Sequence, residues 1–275
     1  MPDFSSRNLR TAHNHGGPEL PGRANCSQTS ESDLMNISVP TPVILGSRSP
    51  RRLELLGHLL PQENLHVCSP MSADEEGFDD LQSRDEFESR ICSIAQTKLN
   101  DVLDQIRRVL IASDRTHALS FLKAVPRLTV VTADTTVVVT GDRERAVALG
   151  QPPEDGRLED TVRHWFRDYF AGQTHEVLSG VCIATCRIRH GELTPDDIST
   201  RHGTCSTRIS MRRDVEPLLD WYLSTGESRG KAGGYAIQGA ASVFVTQVSG
   251  SLSNVIGLPL ELTRQLLSGH SAVHI

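Results

Sequence analysis

An α/β fold with a mixed sheet is predicted by three observations. Strand-like apolar runs and amphipathic helical segments alternate from residue 41 to the end of the 275-residue chain, with no internal repeat. The stretch Leu128–Thr140 reads Leu-Thr-Val-Val-Thr-Ala-Asp-Thr-Thr-Val-Val-Val-Thr, the β-branched density of a strand buried on both faces. From Asp85 to about Arg108, residues Phe87, Ile91, Ile94, Ala95, Leu99, Val102 and Leu103 share one face at helical spacing.

In chain order, residues 1–40 are rich in Ser, Asn, Gly, Pro and charge without a sustained period, which predicts a disordered tail. His13 and His15 fall in it, more as part of a linker than as a metal tract. The folded domain is placed at 41–275. Val43–Leu45 is a short buried strand broken by Gly46 and Ser47. Ser49-Pro50 then opens a helix, with Ser as the N-cap and Pro at the first helical position. Arg51 and Arg52 stand in the first turn, where free N–H groups already make the helix end electropositive. An Arg-Arg pair by itself is a solvated surface feature. Behind a strand and a Gly-Ser turn, at a helix start, it describes a phosphate-binding corner.

The acidic stretch Ser72–Asp80 has turn character. It serves either as a solvated loop or, through Asp74, Glu75 or Glu76, as an oxygen donor set for a hard cation. Lys98 lies in the long helix, where a lysine ordinarily faces solvent. Asp134 sits mid-strand between Ala133 and Thr135, a costly place for a carboxylate without a partner. A strand carboxylate facing a cleft, able to hold a metal or take a proton from water, is the candidate catalytic base.

Residues 141–155 read as turns, 161–169 as helix, and 176–189 as strand. His175 enters that strand from a turn and more often orders backbone than transfers protons. Ser206–Met211 alternates like a half-buried strand, 214–224 is helical, 241–248 is strand-like, and a last helix covers about 260–267. Gly233, Gly234 and Gly239 allow close backbone approach to a ligand, with Lys231 and Gln238 beside them.

Composition narrows the function. Aromatics make up 4% of the chain and the formal charge is -6, against the basic, stacking surface of a nucleic-acid binder. No apolar run is long enough for a membrane span, and no signal sequence opens the chain. The six cysteines form no CxxC pair, and Cys182 and Cys186 read as small core residues, so a reducing, cytoplasmic setting is expected.

Five ordered motifs carry a family resemblance. Gly46-Ser-Arg-Ser-Pro-Arg-Arg-Leu-Glu-Leu-Leu56 resembles the opening signature of the Maf nucleoside triphosphate pyrophosphatases, and Ala133-Asp134-Thr135 its central motif. Gly172-Gln-Thr-His-Glu-Val177, Lys231-Ala-Gly-Gly-Tyr-Ala-Ile-Gln-Gly239 and the segment from Gly250-Ser251 through Leu260 resemble the later ones. The resemblance covers roughly residues 42–268. It implies a two-lobed domain with a mixed, curved sheet and a deep nucleotide cleft. The implied reaction is hydrolysis of a nucleoside triphosphate to the monophosphate and pyrophosphate with a divalent cation, Mg or Mn, in nucleotide-pool sanitation. A homodimer is implied at the same level.

By the same resemblance, Ser47, Arg51 and Arg52 hold the triphosphate, Glu75 and Lys98 line its end, and Asp134 activates water. Glu75 lies near the metal with Asp134, although Glu76 matches the position equally well. Arg51, Thr135 and Gln238 match the branch acting on dTTP and UTP, and Lys231 completes the substrate set. Two departures stand out: Gln151 occupies the place of the family's lysine before Pro152, and Gly230 that of an aspartate before Lys231. The first removes a cation, so a catalytically weakened nucleotide-binding regulator of cell division is the alternative.

Overall fold

The computed structural model describes residues 41–71, 76–81, 83–112, 116–141 and 145–269. Seven strands form one open sheet: β1 (Val43–Gly46), β2 (Leu65–Val67), β3 (Arg127–Thr140), β4 (Ala146–Leu149), β5 (Thr174–Arg187), β6 (Ile198–Met211) and β7 (Val245–Ser249). The helices are α1 (Pro50–Gly57), α2 (Arg84–Ile111), α3 (Leu158–His164), α4 (Glu216–Ser224), α5 (Leu252–Ile256) and α6 (Leu260–Leu267). The strands run β2-β1-β3-β5-β6-β7, with β4 also on β3. β1 is parallel to both neighbours, and the remaining pairings are antiparallel, so the sheet is mixed as expected.

Three 14-residue strands, β3, β5 and β6, carry the architecture. β5 pairs with β3 from Arg127 to Val138, but the opposite edge of β3 has two different partners. β1 covers Thr129–Thr132, and β4 covers Val137–Thr140. Between them, residues 133–136 have no strand partner on that side among the described residues. The sheet is split there.

Alternation along β3 sorts its side chains onto two faces. Leu128 and Val130 pack with Ala95, Leu99, Val102 and Ile106 of α2, while Val138 joins Phe87 and Ile91 farther up the same helix. One helix thus lies along the length of this face, its start fixed by a reciprocal Ser83–Glu86 capping box. α2 presses close enough to β5 that a Cβ on Gly180 would come 2.6 Å from the Ile91 carbonyl oxygen. The other face is divided. Val131 and Ala133 pack with Leu55 and Leu56 of α1 and Leu262 and Leu266 of α6. Val137 and Val139 pack with Val162, Phe166, Phe170, Leu219 and Tyr222, an aromatic cluster. Each fully buried Leu, Val or Phe in these clusters contributes roughly 1.5–3 kcal/mol. Two packed halves result, meeting at the split.

Several boundaries differ from the sequence reading. Residues 240–244 are a 3₁₀ turn, and strand begins only at Val245. The alternation at 206–211 is the end of a strand that starts at Ile198. The turn-rich 141–155 contains β4, and the helix at 161–169 is α3 from Leu158, ending in a π-helical turn, Trp165–Phe170. The long helix runs three residues past the expected Arg108, to Ile111, and a short 3₁₀ turn lies at Ser120–Ala124. Cys182 and Cys186 are buried core residues. The predicted tail, with His13 and His15, lies outside the described residues. Among the described residues no helix is long and apolar enough to cross a membrane.

Candidate active site

A split sheet leaves room that a continuous one would fill, and a cleft of about 760 Å³ opens there. That lies within the roughly 300–1,000 Å³ of small-molecule sites. The split is also where the strand order changes, the usual ligand position in open α/β sheets. Ser47, Arg51, Arg52, Lys98, Asp134, Thr135, Lys231 and Gln238, eight residues from four distant stretches of sequence, all line this cleft. Glu75, assigned to the metal, lies outside the described residues.

The first wall is built where β1 ends. The chain turns through Ser47 into α1, whose N-cap Ser49 accepts from the Arg52 amide at 3.4 Å, and Pro50 fills the first turn. That turn holds two arginines and no acid. Ser47 is buried, and its Oγ accepts from the Ser49 amide at 3.1 Å and from Arg52 Nη1 at 3.3 Å. Arg52 also donates from Nε to the Gly257 carbonyl at 2.9 Å and from Nη2 to Thr135 Oγ1 at 3.3 Å.

Asp134 points to the α2 face, where Lys98 Nζ donates to its Oδ1 at 2.6 Å. Arg52 Nη2 approaches the same oxygen from the opposite face, at 3.9 Å. The two cations converge on one carboxylate because no strand fills the edge between them. Lys98 therefore departs from the ordinary solvent-facing helix lysine, at 15% side-chain exposure against 14% for Asp134. Thr135 Oγ1 hydrogen-bonds Ser179 Oγ at 2.8 Å, its register partner on β5, and donates to Gly257 O at 3.3 Å.

The second wall is loop. Gly150 and Gln151 follow directly on β4, and the glycine-rich segment 230–238 faces the first wall. The Gly233 amide donates to the Gly150 carbonyl at 3.0 Å, joining the two segments. Lys231 Nζ donates to the carbonyls of Glu227 at 2.7 Å and Arg229 at 3.3 Å. Its ammonium is held below its ordinary pKa, first by burial and then by the charge of Arg51, with Glu227 opposing. Arg51, Gln151 and Gln238 have no side-chain hydrogen bond among the described residues.

His175 is 2% exposed, and its Nε2 bonds the Tyr235 hydroxyl at 2.7 Å. Burial pushes its pKa down to about 3, so it is a neutral tether for the glycine-rich loop and not an acid–base group. Nor does it order backbone, as its turn position suggested: Nδ1 is left without a partner. Sequence reasoning also passed over Ser179, the Gly257 carbonyl and Glu227. Ser179 is recoverable only from strand register, and a carbonyl has no sequence signal.

The cleft inverts the charge of the molecule. Among the described residues, Arg48, Arg51, Arg52, Lys98 and Lys231 line it against one acid, Asp134, while the chain as a whole is at -6. Such a site suits a polyanion. Among the described residues no group of three or more His, Cys, Asp or Glu could hold a metal ion by itself. Asp134 Oδ2 has no hydrogen-bond partner there, and one carboxylate with ligand phosphates and water is a usual Mg²⁺ environment. The donor set fits a cation that arrives with a phosphate ligand.

Comparison with known proteins agrees with this geometry. The family model for Maf-like proteins matches residues 42–270. A dTTP/UTP pyrophosphatase of Pyrococcus horikoshii is 31% identical over 82% of this chain and 94% of its own length. Those of Anaeromyxobacter dehalogenans and a Chelativorans species are 33% and 34% identical, over 82% and 84% of this chain and 92% of each relative. With its five motifs folded around one cleft and the match running through nearly all of the described residues, the chain belongs to the Maf family.

Proposed function

We propose that this chain hydrolyses dTTP, UTP or modified relatives to the monophosphate and pyrophosphate, serving nucleotide-pool sanitation. The relatives it resembles are dTTP/UTP pyrophosphatases, hydrolases of nucleoside triphosphates. One observation carries the mechanism: a carboxylate, bridged to a lysine, at the edge of a cleft that the described residues otherwise line with cations.

Arg51, Arg52, Lys98 and Lys231 hold the triphosphate, and Ser47 keeps Arg52 in place. Asp134 orients water for in-line attack at the α-phosphorus and accepts its proton through an oxygen not engaged by Lys98. The cations stabilise charge gathering on the departing pyrophosphate. Thr135 and Gln238 line the same cleft and are assigned here to reading sugar and base, Gln238 through an amide able to pair with a base edge. Asp134, with Glu75 as a further candidate, would hold a Mg or Mn ion. When bound, that ion neutralises phosphate charge.

The test is pyrophosphate release from a panel of nucleoside triphosphates with Mg²⁺ or Mn²⁺, wild type beside Asp134→Asn. Release is expected to favour dTTP and UTP, and to fall about 10²–10⁴-fold in the variant while nucleotide still binds. Undiminished turnover would remove Asp134 from the base role. Gln151, an uncharged side chain at the split, favours a second reading, a nucleotide-binding regulator. Binding without release from any nucleotide would establish it.

A further inference from the structure

The glycine-rich wall hangs on one side chain. Every residue that the segment after α4 contributes to the cleft, from Gly230 to Gln238, lies between Glu227 and Ala240. The Glu227 carboxylate closes that segment into a ring. Its Oε2 accepts from the Ala240 amide at 2.6 Å and its Oε1 from the Ala241 amide at 3.1 Å. These are the first N–H groups of the 3₁₀ turn Ala240–Phe244, where an anion is favoured. The backbone oxygen of the same residue takes the Lys231 ammonium at 2.7 Å. A single glutamate therefore fixes both ends of the wall and the direction of its cation.

Gly239 supports this assignment from the other side. Its backbone, φ -114° and ψ -150°, is open to any residue, so conformation does not demand glycine there. Space does: a Cβ would overlap Glu227 Oε2. The vacancy beside Gly239 is filled by the clamp. Three positive-φ glycines, Gly230, Gly233 and Gly234, leave the segment little intrinsic stiffness. Without the carboxylate, the Tyr222 hydroxyl on Gly234 O, the Gly150 carbonyl and the His175–Tyr235 bond still hold its middle, and the Glu227 and Arg229 carbonyls still take the Lys231 ammonium. The tie from Glu227 to Ala240 and Ala241 that fixes where that loop end and Gln238 stand is lost.

We propose that Glu227 is a positioning residue for nucleotide binding, presetting Lys231 and Gln238 by clamping its own loop to the turn at Ala240. The proposal rests on the nucleotide reading of the cleft, but part of its test does not. Two variants release the clamp independently: Glu227→Gln removes the charge, and Gly239→Ala evicts the carboxylate with a methyl group. Both are expected to raise KM for dTTP or UTP about tenfold while kcat changes less than about threefold. In the Glu227→Ala background the three atoms nearest to an added methyl at 239, all of them Glu227 carboxylate atoms, are gone. The double variant should then be no worse than Glu227→Ala alone, a non-additive cycle.

Hydrogen–deuterium exchange without nucleotide reads the same clamp. The Ala240 and Ala241 amides and the 228–239 segment should exchange faster in both single variants, and α2 should not. Additive effects in the cycle, unchanged exchange in Glu227→Gln, or a loss of thermal stability with KM intact would each overturn the proposal. A wild-type protein with no nucleotide turnover or binding would sink the functional reading, and the exchange result would still decide whether the clamp exists.

Discussion

The two walls of the cleft are built on opposite principles. On the strand wall, Ser47, Arg52, Lys98, Asp134, Thr135 and Ser179 bond one another or the Gly257 carbonyl, and they stand on strands and helices with packed cores beneath. On the loop wall, Gln151 and Gln238 keep their polar ends for something else, and glycines carry the chain. Arg51 and Arg52 make the contrast at one residue's distance. Arg52 spends its guanidinium on protein oxygens, and Arg51 spends none on protein among the described residues. Reacting atoms need fixed geometry, since a preorganised site loses nothing to rearrangement at the transition state. Recognition of a large ligand tolerates a wall that settles around it.

That division breaks most visibly at the two arginines. Arg52→Ala should lower kcat about 100-fold and also cost about 1.5–3 kcal/mol of stability, because its hydrogen-bonded oxygens lose a charged donor. Arg51→Ala should leave stability within about 0.5 kcal/mol and lower kcat/KM about tenfold. Steady-state pyrophosphate release and urea denaturation on the same preparations separate the two. Equal stability losses would mean that Arg51 is as embedded as its neighbour.

A proton provides the next contrast. His175, which tethers the loop wall through Tyr235, is held neutral in the fold with a pKa of about 3 against an ordinary 6.5. The unfolded chain takes up a proton below about 6.5 and the folded protein does not. Stability is therefore complete above that pH and falls as pH drops from about 6.5 toward about 3, by up to about 1.4 kcal/mol per unit. Urea midpoints at about pH 7.5 and about pH 5, with m unchanged, measure it, and His175→Gln should flatten the slope. A slope unaltered in that variant would assign the acid sensitivity to other groups.

The smallest effect expected is a gain. Gln151→Lys adds a cation on the loop wall and should raise kcat/KM about threefold for the preferred nucleotide. No gain in the initial rate would mean that the present cations already satisfy the phosphates.

Much of the strand wall was legible in the sequence because its signals are local. Pro50 after Ser49 marks a helix start, and a carboxylate at position 134 inside a β-branched run announces its own cost. The loop wall was legible mainly as composition: glycines beside Lys231 and Gln238 indicated close approach to a ligand, but not what holds them there. Glu227 has no such signal, since its partners are backbone amides 13 and 14 residues away. Strand β4 was hidden for a similar reason. Its four residues, Ala-Val-Ala-Leu, lie in a turn-rich stretch and become a strand only by pairing with β3. Of the long strands β6 alone was much shortened in the reading, because Ser199–His202 carries polar, largely exposed residues, which β6 tolerates by pairing with β5.

The split sheet has a further consequence, for solubility. An open strand edge is ordinarily a template on which another chain can add, the first step of edge-to-edge aggregation. Here the unpaired edge is interior, four residues from 133 to 136, bounded by β1 at one end and β4 at the other. A foreign strand long enough to pair stably, typically about five or six residues, would run into one neighbour or the other. The molecule thus turns an unpaired strand edge toward a cleft in the middle of its sheet while denying that edge to another polypeptide.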